Sequence, residues 1–328
     1  MNIQVIIPDK NAPSCRFRVL QYREPLRSFG ITLEVVELSR ERQQRRATLD
    51  AAADYDAVFL HRKLLNRFDY ARLRRRARKL IYDFDDAVMF RDSNASRLES
   101  RMRKRKWERL VSGADLVIAG NEYLADFAGE YNNAVSIIPT VIDLDYFPGE
   151  PVRTSELTIG WMGTASNFIY LSLIKDSMEV LLREHPKVTF KVVSDQTPEL
   201  PGLSIESKRW SASEELSDLA GFDIGIMPIF DDPWARGKCA FKIIQYFASY
   251  LPVVCSPVGA NREVVEEGVN GYFASSPDEW RRRMEELLAS AGVRKVMGRA
   301  GRKVTEDRYS LSVMAPRLAR VLKETVIN

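Results

Sequence analysis

Short apolar, β-branched runs alternate with helical patterns along this chain, and the alternation stops and restarts near the middle. The first set of runs is Ile3–Ile7, Leu33–Leu38, Ala57–Leu60, Leu80–Tyr82, Leu116–Ala119 and Val135–Ile138. After a polar stretch from Pro148 to Glu156 come Leu157–Met162, Val188–Val193, Ile224–Met227, Val253–Cys255 and Gly271–Phe273. A strand that is apolar at every position is buried on both faces, and a parallel neighbour is reached only through a crossover, usually a helix. The pattern therefore predicts an α/β architecture of two Rossmann-like, doubly wound domains. Length agrees, since 328 residues make two domains of about 150 each. Pro148, Gly149 and Pro151 give the joint a linker composition, so the expected domains are 1–150 and 151–328. An amphipathic helix from Ser310 to about Val326, apolar at Met314, Leu318, Val321 and Leu322, is placed to return to the first domain.

Composition narrows the function classes. Hydrophobic residues make up 45% and charged residues 29%, so a sizeable core can form and wholesale disorder is excluded. No run approaches the roughly 20 apolar residues that span a bilayer, and the opening MNIQVIIPDK reads as a strand rather than a leader. Three cysteines (Cys15, Cys239, Cys255) without CxxC spacing fit a reducing, cytoplasmic setting and argue against structural zinc. Two histidines, His61 and His185, are too few for a histidine metal cage and awkward for a serine–histidine triad. No resident metal is expected.

Doubly wound sheets bind ligands at loops beyond the carboxyl ends of their strands, and two such domains facing one another make a central cleft. Three loops of the second half follow strands. In GWMGTASN (160–167), Gly163 and Thr164 either bring backbone N–H groups to a diphosphate or form only a tight turn with Thr164 or Ser166 as N-cap. The stretch IFDDPWARGK (229–238) leads into a helix expected over Cys239–Tyr250, where the spacing of Lys238, Lys242 and Gln245 predicts one shared face. That face either looks into the cleft, with Lys238 meeting an anion, or is a solvated lysine face. In CSPVGANRE (255–263), Gly259 and Asn261 can bring donors to a ligand, while Glu263 either joins them or only complements the helix dipole.

The segment FDIGIMPIFDDPWARGKCAFKIIQYFASYLPVVCSPVGANREVVEEGVNGYF (222–273) resembles the donor-binding core of the retaining GT-B glycosyltransferases of family 4. IGWMGT (159–164), ADLVIAGN (114–121) and IPTVIDLDYF (138–147) extend that resemblance in the right order over most of the chain. It implies a GT-B fold, a nucleotide-diphosphate sugar held by the second domain, an acceptor held by the first, retention of configuration, no essential metal and no cofactor beyond the donor. It also exposes a departure. Similar chains carry two glutamates eight residues apart, and alignment on Pro252-Val253-Val254 puts those positions at Gly237 and Gln245. Gln245 would be a neutral acceptor for ribose hydroxyls, and Asp231 or Asp232 would take over the donor sugar. The arginine and lysine that often follow the first strand of the second domain are missing from Thr164–Tyr170, which leaves Arg236, Lys238 and Lys242 to hold the diphosphate.

In the first domain the resemblance places an acceptor and phosphate loop around Ser14–Arg18. Arg16 and Arg18, spaced i, i+2, diverge so that one can face the cleft; surface arginines are the plain alternative. Asp85 and Asp86 stand where similar enzymes line the active site with a His–Asp pair. Either they accept hydrogen bonds from sugar or acceptor hydroxyls, the catalytic reading, or they bridge to Arg74–Lys79. His61, at the end of the third strand, either reaches the acceptor or is structural.

Net charge is only +4, yet RLRRRARK (72–79) and RMRKRKWER (101–109) concentrate positive charge. Such clusters suit an anionic partner, lipid headgroups or phosphates more than nucleic acid; the resemblance implies a glycan or lipid-linked acceptor at the inner face of a membrane, and Trp107 is expected near that surface. Solvated helix faces paired with Glu99, Glu108 and Asp115 are the alternative. Two other functions suit the same fold: a sugar-nucleotide isomerase, and a non-catalytic protein that binds nucleotide sugars or anionic surfaces.

Overall fold

Each of those apolar runs forms a strand in the computed structural model of this chain, which describes residues 1–147, 149–151 and 156–327. The first sheet contains β1 (Asn2–Ile7), β2 (Thr32–Glu37), β3 (Ala57–His61), β4 (Leu80–Phe84), β5 (Leu116–Ala119) and β6 (Val135–Ile137). Its order is β2-β1-β3-β4-β5-β6 and its pairings are parallel. The second contains β7 (Leu157–Met162), β8 (Val188–Ser194), β9 (Glu206–Arg209), β10 (Ile224–Met227), β11 (Val253–Cys255) and β12 (Gly271–Phe273), in the parallel order β12-β11-β10-β7-β8-β9.

These orders place the ligand crevices. The second sheet has the Rossmann order, which reverses between β7 and β10; the first has the flavodoxin-like order, which reverses between β1 and β3. Loops at those reversals diverge to opposite faces and leave room beyond the strand ends. β9 was not legible as a strand, because its sequence ESKR offers nothing to bury. It lies at the sheet edge, where charged side chains deter further pairing.

The chain groups into two units. The first is Met1–Val141 with Arg236–Cys239 and the residues from Tyr309 onward; the second is Ile142–Ala235 with Ala240–Arg308. Of the residues expected to form the linker, Pro148 lies outside the described ones. The core of the first unit joins Ile3, Val5 and Ile118 of the sheet to Leu311, Met314, Leu318 and Leu322 of the terminal helix, Leu311–Ile327. In the second, Ile159, Trp161, Phe190 and Ile224 pack with Met178, Leu181, Trp280 and Met284. Among the described residues no helix is long and apolar enough to cross a membrane.

Candidate functional site

In the second unit, β7 ends at Met162, beside the reversal of strand order, and Gly163 and Thr164 follow. A Cβ at position 163 would lie 2.6 Å from Cε of Lys242 and 2.8 Å from the ring of Trp161, so only glycine lets the lysine stem lie across this backbone. The Lys242 ammonium sits 5.4 Å from the Trp161 ring centroid, within cation–π range. Thr164–Tyr170 itself carries no base, and the cation beside this turn comes from another helix. Thr164 holds the N-cap position of the turn Ala165–Leu173 but makes no capping bond. Its hydroxyl accepts instead from Asn167 Nδ2 at 2.9 Å and shares a hydrogen bond with Ser166 at 3.0 Å.

Lys242 and Gln245 belong to the helix Phe241–Ala248, which starts later than expected. Ala240 is left-handed (φ 52°, ψ 22°), so helical periodicity does not run back to Lys238. The shared face of three residues is therefore corrected to Lys242 and Gln245, one turn apart; half-buried Lys238 groups with the first unit. Gln245 is 7% exposed and donates from Nε2 to Glu215 Oε1 at 3.3 Å. Glu215, at the start of the helix Glu215–Ala220, is 4% exposed and accepts from Trp210 Nε1 through its other oxygen at 3.1 Å. The sequence analysis did not single out Glu215, whose contact with Gln245 spans 30 residues and leaves no local pattern.

Asp232 accepts from the Ala235 amide at 2.8 Å and so caps the turn Pro233–Arg236, while Asp231 and Arg236 are exposed. Gly259 takes the left-handed φ of 52° that lets its loop turn back toward Asn261. Asn261 is buried and donates to Ser256 O at 2.9 Å; its Oδ1 has no partner among the described residues. Glu263 is half-buried in the same short helix, Asn261–Val264.

In the first unit, Arg16 and Arg18 do part. Arg16 is exposed over the Phe17 ring, whereas Arg18 is 5% exposed and bonded through its guanidinium to both oxygens of Asp83, Ile138 O (2.9 Å) and Thr140 Oγ1 (3.3 Å). His61 Nδ1 lies 2.6 Å from Asp83 Oδ2, and its Nε2 has no partner among the described residues. Burial alone would raise the Asp83 carboxyl; the Arg18 charge and the His61 hydrogen bond override it and hold it down at about 2. Arg18 and His61 are thus tied to one buried carboxylate, whereas Arg16 is exposed.

Asp85 and Asp86 do not bridge to Arg74–Lys79. Their partner is Arg62, left-handed at φ 57°, whose guanidinium is 2.6 Å from Asp86 and 3.4 Å from Asp85. Beside them, Asn121 donates to Gly237 O and Lys238 O, each at 3.1 Å, and Cys239 Sγ contacts Asp85 O at 3.1 Å. A Cβ at 237 would lie 2.7 Å from the Ala87 amide nitrogen and 2.6 Å from Ala87 Cβ. The glutamate that the resemblance expects here has no room. Among the described residues, no cluster of three or more histidines, cysteines and carboxylates is placed to hold a metal ion.

The first basic run begins on the helix Arg67–Arg76 and continues past its end to Lys79, and the second lies on the helix Arg101–Gly113. Arg72 pairs with Asp50 at 2.6 Å, Arg74 with Asp115 at 3.3 Å, and Arg103 donates to Val88 O at 2.9 Å. Among the described residues Arg75, Arg101, Arg105, Lys106 and Arg109 make no ion pair. Trp107 is no surface residue: it is fully buried, edge-on to Phe84 and Tyr131. The exposed apolar residues on these helices are Phe68 and Met102, at 70% and 65%.

Comparison with known proteins agrees with this fold. Residues 156–290 match the family model described as "Glycosyl transferases group 1". Over 83 residues the chain is 32% identical to spore coat protein SA of Bacillus subtilis (strain 168), a match covering 24% of this chain and only 22% of that protein. Sucrose-phosphate synthase from Thermosynechococcus elongatus has a similar structure (TM-score 0.76, 13% identity, 98% of each chain covered). So does Anabaena Alr3699/HepE, solved in complex with UDP and glucose (TM-score 0.76, 16% identity, 99% of this chain and 100% of that one). At such identities the likeness establishes the GT-B fold.

Proposed function

We propose, from the match of residues 156–290 to the family model of the glycosyl transferases of group 1, that this chain moves a hexosyl group from a nucleotide-diphosphate sugar to an acceptor hydroxyl with retention. The observation that carries this is Lys242, whose stem lies against Gly163 and whose ammonium sits over the Trp161 ring, at the reversal of strand order in the second sheet. A diphosphate placed beyond β7 meets that charge together with the Gly163–Thr164 backbone, and charge developing on the departing phosphate is stabilised in place. Gln245 receives the ribose, and Gly259, Asn261, Glu263 and the Asp231–Asp232 loop complete the donor side. In the first unit Arg16, Asp85 and Asp86 meet the acceptor, with Arg62 holding the two carboxylates.

In the proposed reaction the acceptor oxygen bonds to the anomeric carbon on the face from which the phosphate leaves, and the acceptor proton passes to a departing phosphate oxygen. No side-chain nucleophile is required, which suits carboxylates already paired with Arg62. The acceptor is proposed to be a glycan or lipid-linked sugar at the cytoplasmic face of a membrane, met by the unpaired cations of the two basic helices.

A thermal-shift screen against UDP, GDP, TDP and their sugars tests the donor. A ligand at 100-fold its Kd stabilises by about 2.7 kcal/mol, so one nucleotide series should raise the Tm by several degrees. The sugar that binds should be hydrolysed or transferred, and NMR of the product should show the donor's anomeric configuration. Silence from every nucleotide would sink the proposal; an inverted product would sink retention alone.

A further inference from the structure

Gln245 and Glu215 are both buried, and the amide meets the carboxylate at 3.3 Å. An ionised carboxylate accepts and does not donate, so Gln245 must turn its NH2 toward Glu215 and present Oε1 on its other side. The Trp210 indole N–H on the second carboxylate oxygen keeps Glu215 from turning away. We propose that Glu215 is a positioning residue: it fixes the Gln245 amide so that Oε1 accepts from the ribose hydroxyls of the donor nucleotide. A negative charge that similar chains carry on the Phe241–Ala248 helix is here held by the Glu215–Ala220 helix and reaches the ribose through one hydrogen bond. This rests on Gln245 standing at the ribose, as proposed above.

The pairing also accounts for the missing acidic residue. A glutamate at 245 would set two carboxylates face to face at about this separation, and one would have to take up a proton. Glutamine at 245 is therefore what a buried carboxylate at 215 requires, and the two residues should be exchangeable as a pair but not singly.

The test compares Kd for UDP with Kd for 2′,3′-dideoxy-UDP, or the matching guanosine pair if the screen selects GDP. Wild-type protein should prefer the ribonucleotide at least tenfold, and Gln245→Leu should bring the ratio near 1. Glu215→Gln, in which the facing amides no longer fix one orientation, should cut the ratio to threefold or less while the dideoxy Kd stays within twofold. A purely structural role would move both constants together. Gln245→Glu should bind more weakly at pH 8 than at pH 6, and Glu215→Gln with Gln245→Glu should restore the wild-type ratio. If Glu215→Gln is too unstable to assay, the exchanged pair decides: a wild-type ratio supports the role, and a ratio near 1 overturns it. An unchanged ratio in Glu215→Gln beside a collapsed one in Gln245→Leu overturns the role of Glu215 and leaves the ribose assignment standing. A wild-type ratio near 1 overturns the ribose assignment itself.

Discussion

Asp83 is ionised where charge is costly to bury, and Arg18 makes that tolerable. Removing one partner strands the other, so Asp83→Asn should destabilise the fold by about 3–5 kcal/mol in urea denaturation. The sign with pH follows from the depressed carboxyl. Its stabilisation is complete above the unfolded value of 3.8 and is lost as pH falls toward about 2. It amounts to on the order of 2 kcal/mol. Stability measured from pH 5 to pH 2 should fall less steeply in Asp83→Asn than in wild type. At the proposed donor site, Lys242→Ala should weaken nucleoside-diphosphate binding by about 1.5–3 kcal/mol by calorimetry, the scale of a charge-assisted hydrogen bond. At this scale the residue types were legible in the sequence and their partners were not. Lys242, Gln245, Asp85 and Asp86 stood out by chemistry; Glu215 and Arg62 did not, because contacts across 30 and more than 20 residues leave no local pattern.

The approach of Gly237 to Ala87 decides a question about elements. The obstruction is backbone, which cannot swing aside as a side-chain tip can. Gly237→Ala should cost about 1–3 kcal/mol. Gly237→Glu, which supplies the carboxylate that the resemblance expects, should lower the Tm further and gain no activity; a Glu variant as stable as wild type would show that the segment moves aside. Strands were the most legible elements, since continuous apolar runs such as Val253–Cys255 have few other uses between turns. β9 lacked that signal. The start of the Phe241–Ala248 helix was misplaced because alanine is a good helix former, and nothing in the sequence says that Ala240 adopts the left-handed conformation.

For the whole molecule, a net charge of +4 conceals where the cations stand. Among the described residues Arg105, Lys106 and Arg109 are without ion pairs, on a helix that also exposes Met102, a combination suited to an anionic bilayer. Co-sedimentation with phosphatidylserine vesicles should be strong at low salt, weak at high salt and absent with neutral vesicles. Each cation near the surface contributes about 1 kcal/mol, so Arg105→Glu with Lys106→Glu should weaken it at least tenfold. No binding at low salt would point to a water-soluble acceptor. The terminal helix has a different consequence, one of timing. Leu311, Met314, Leu318 and Leu322 complete the core of the first unit, yet they leave the ribosome after every residue of the second. The sheet made first must wait, with part of its apolar face uncovered, until about half the chain has followed; nascent domains in that state are prone to aggregate and to engage chaperones. A nascent chain arrested with residue 308 just outside the exit tunnel should resist protease across Ile142–Arg308 and remain cleavable within Met1–Val141.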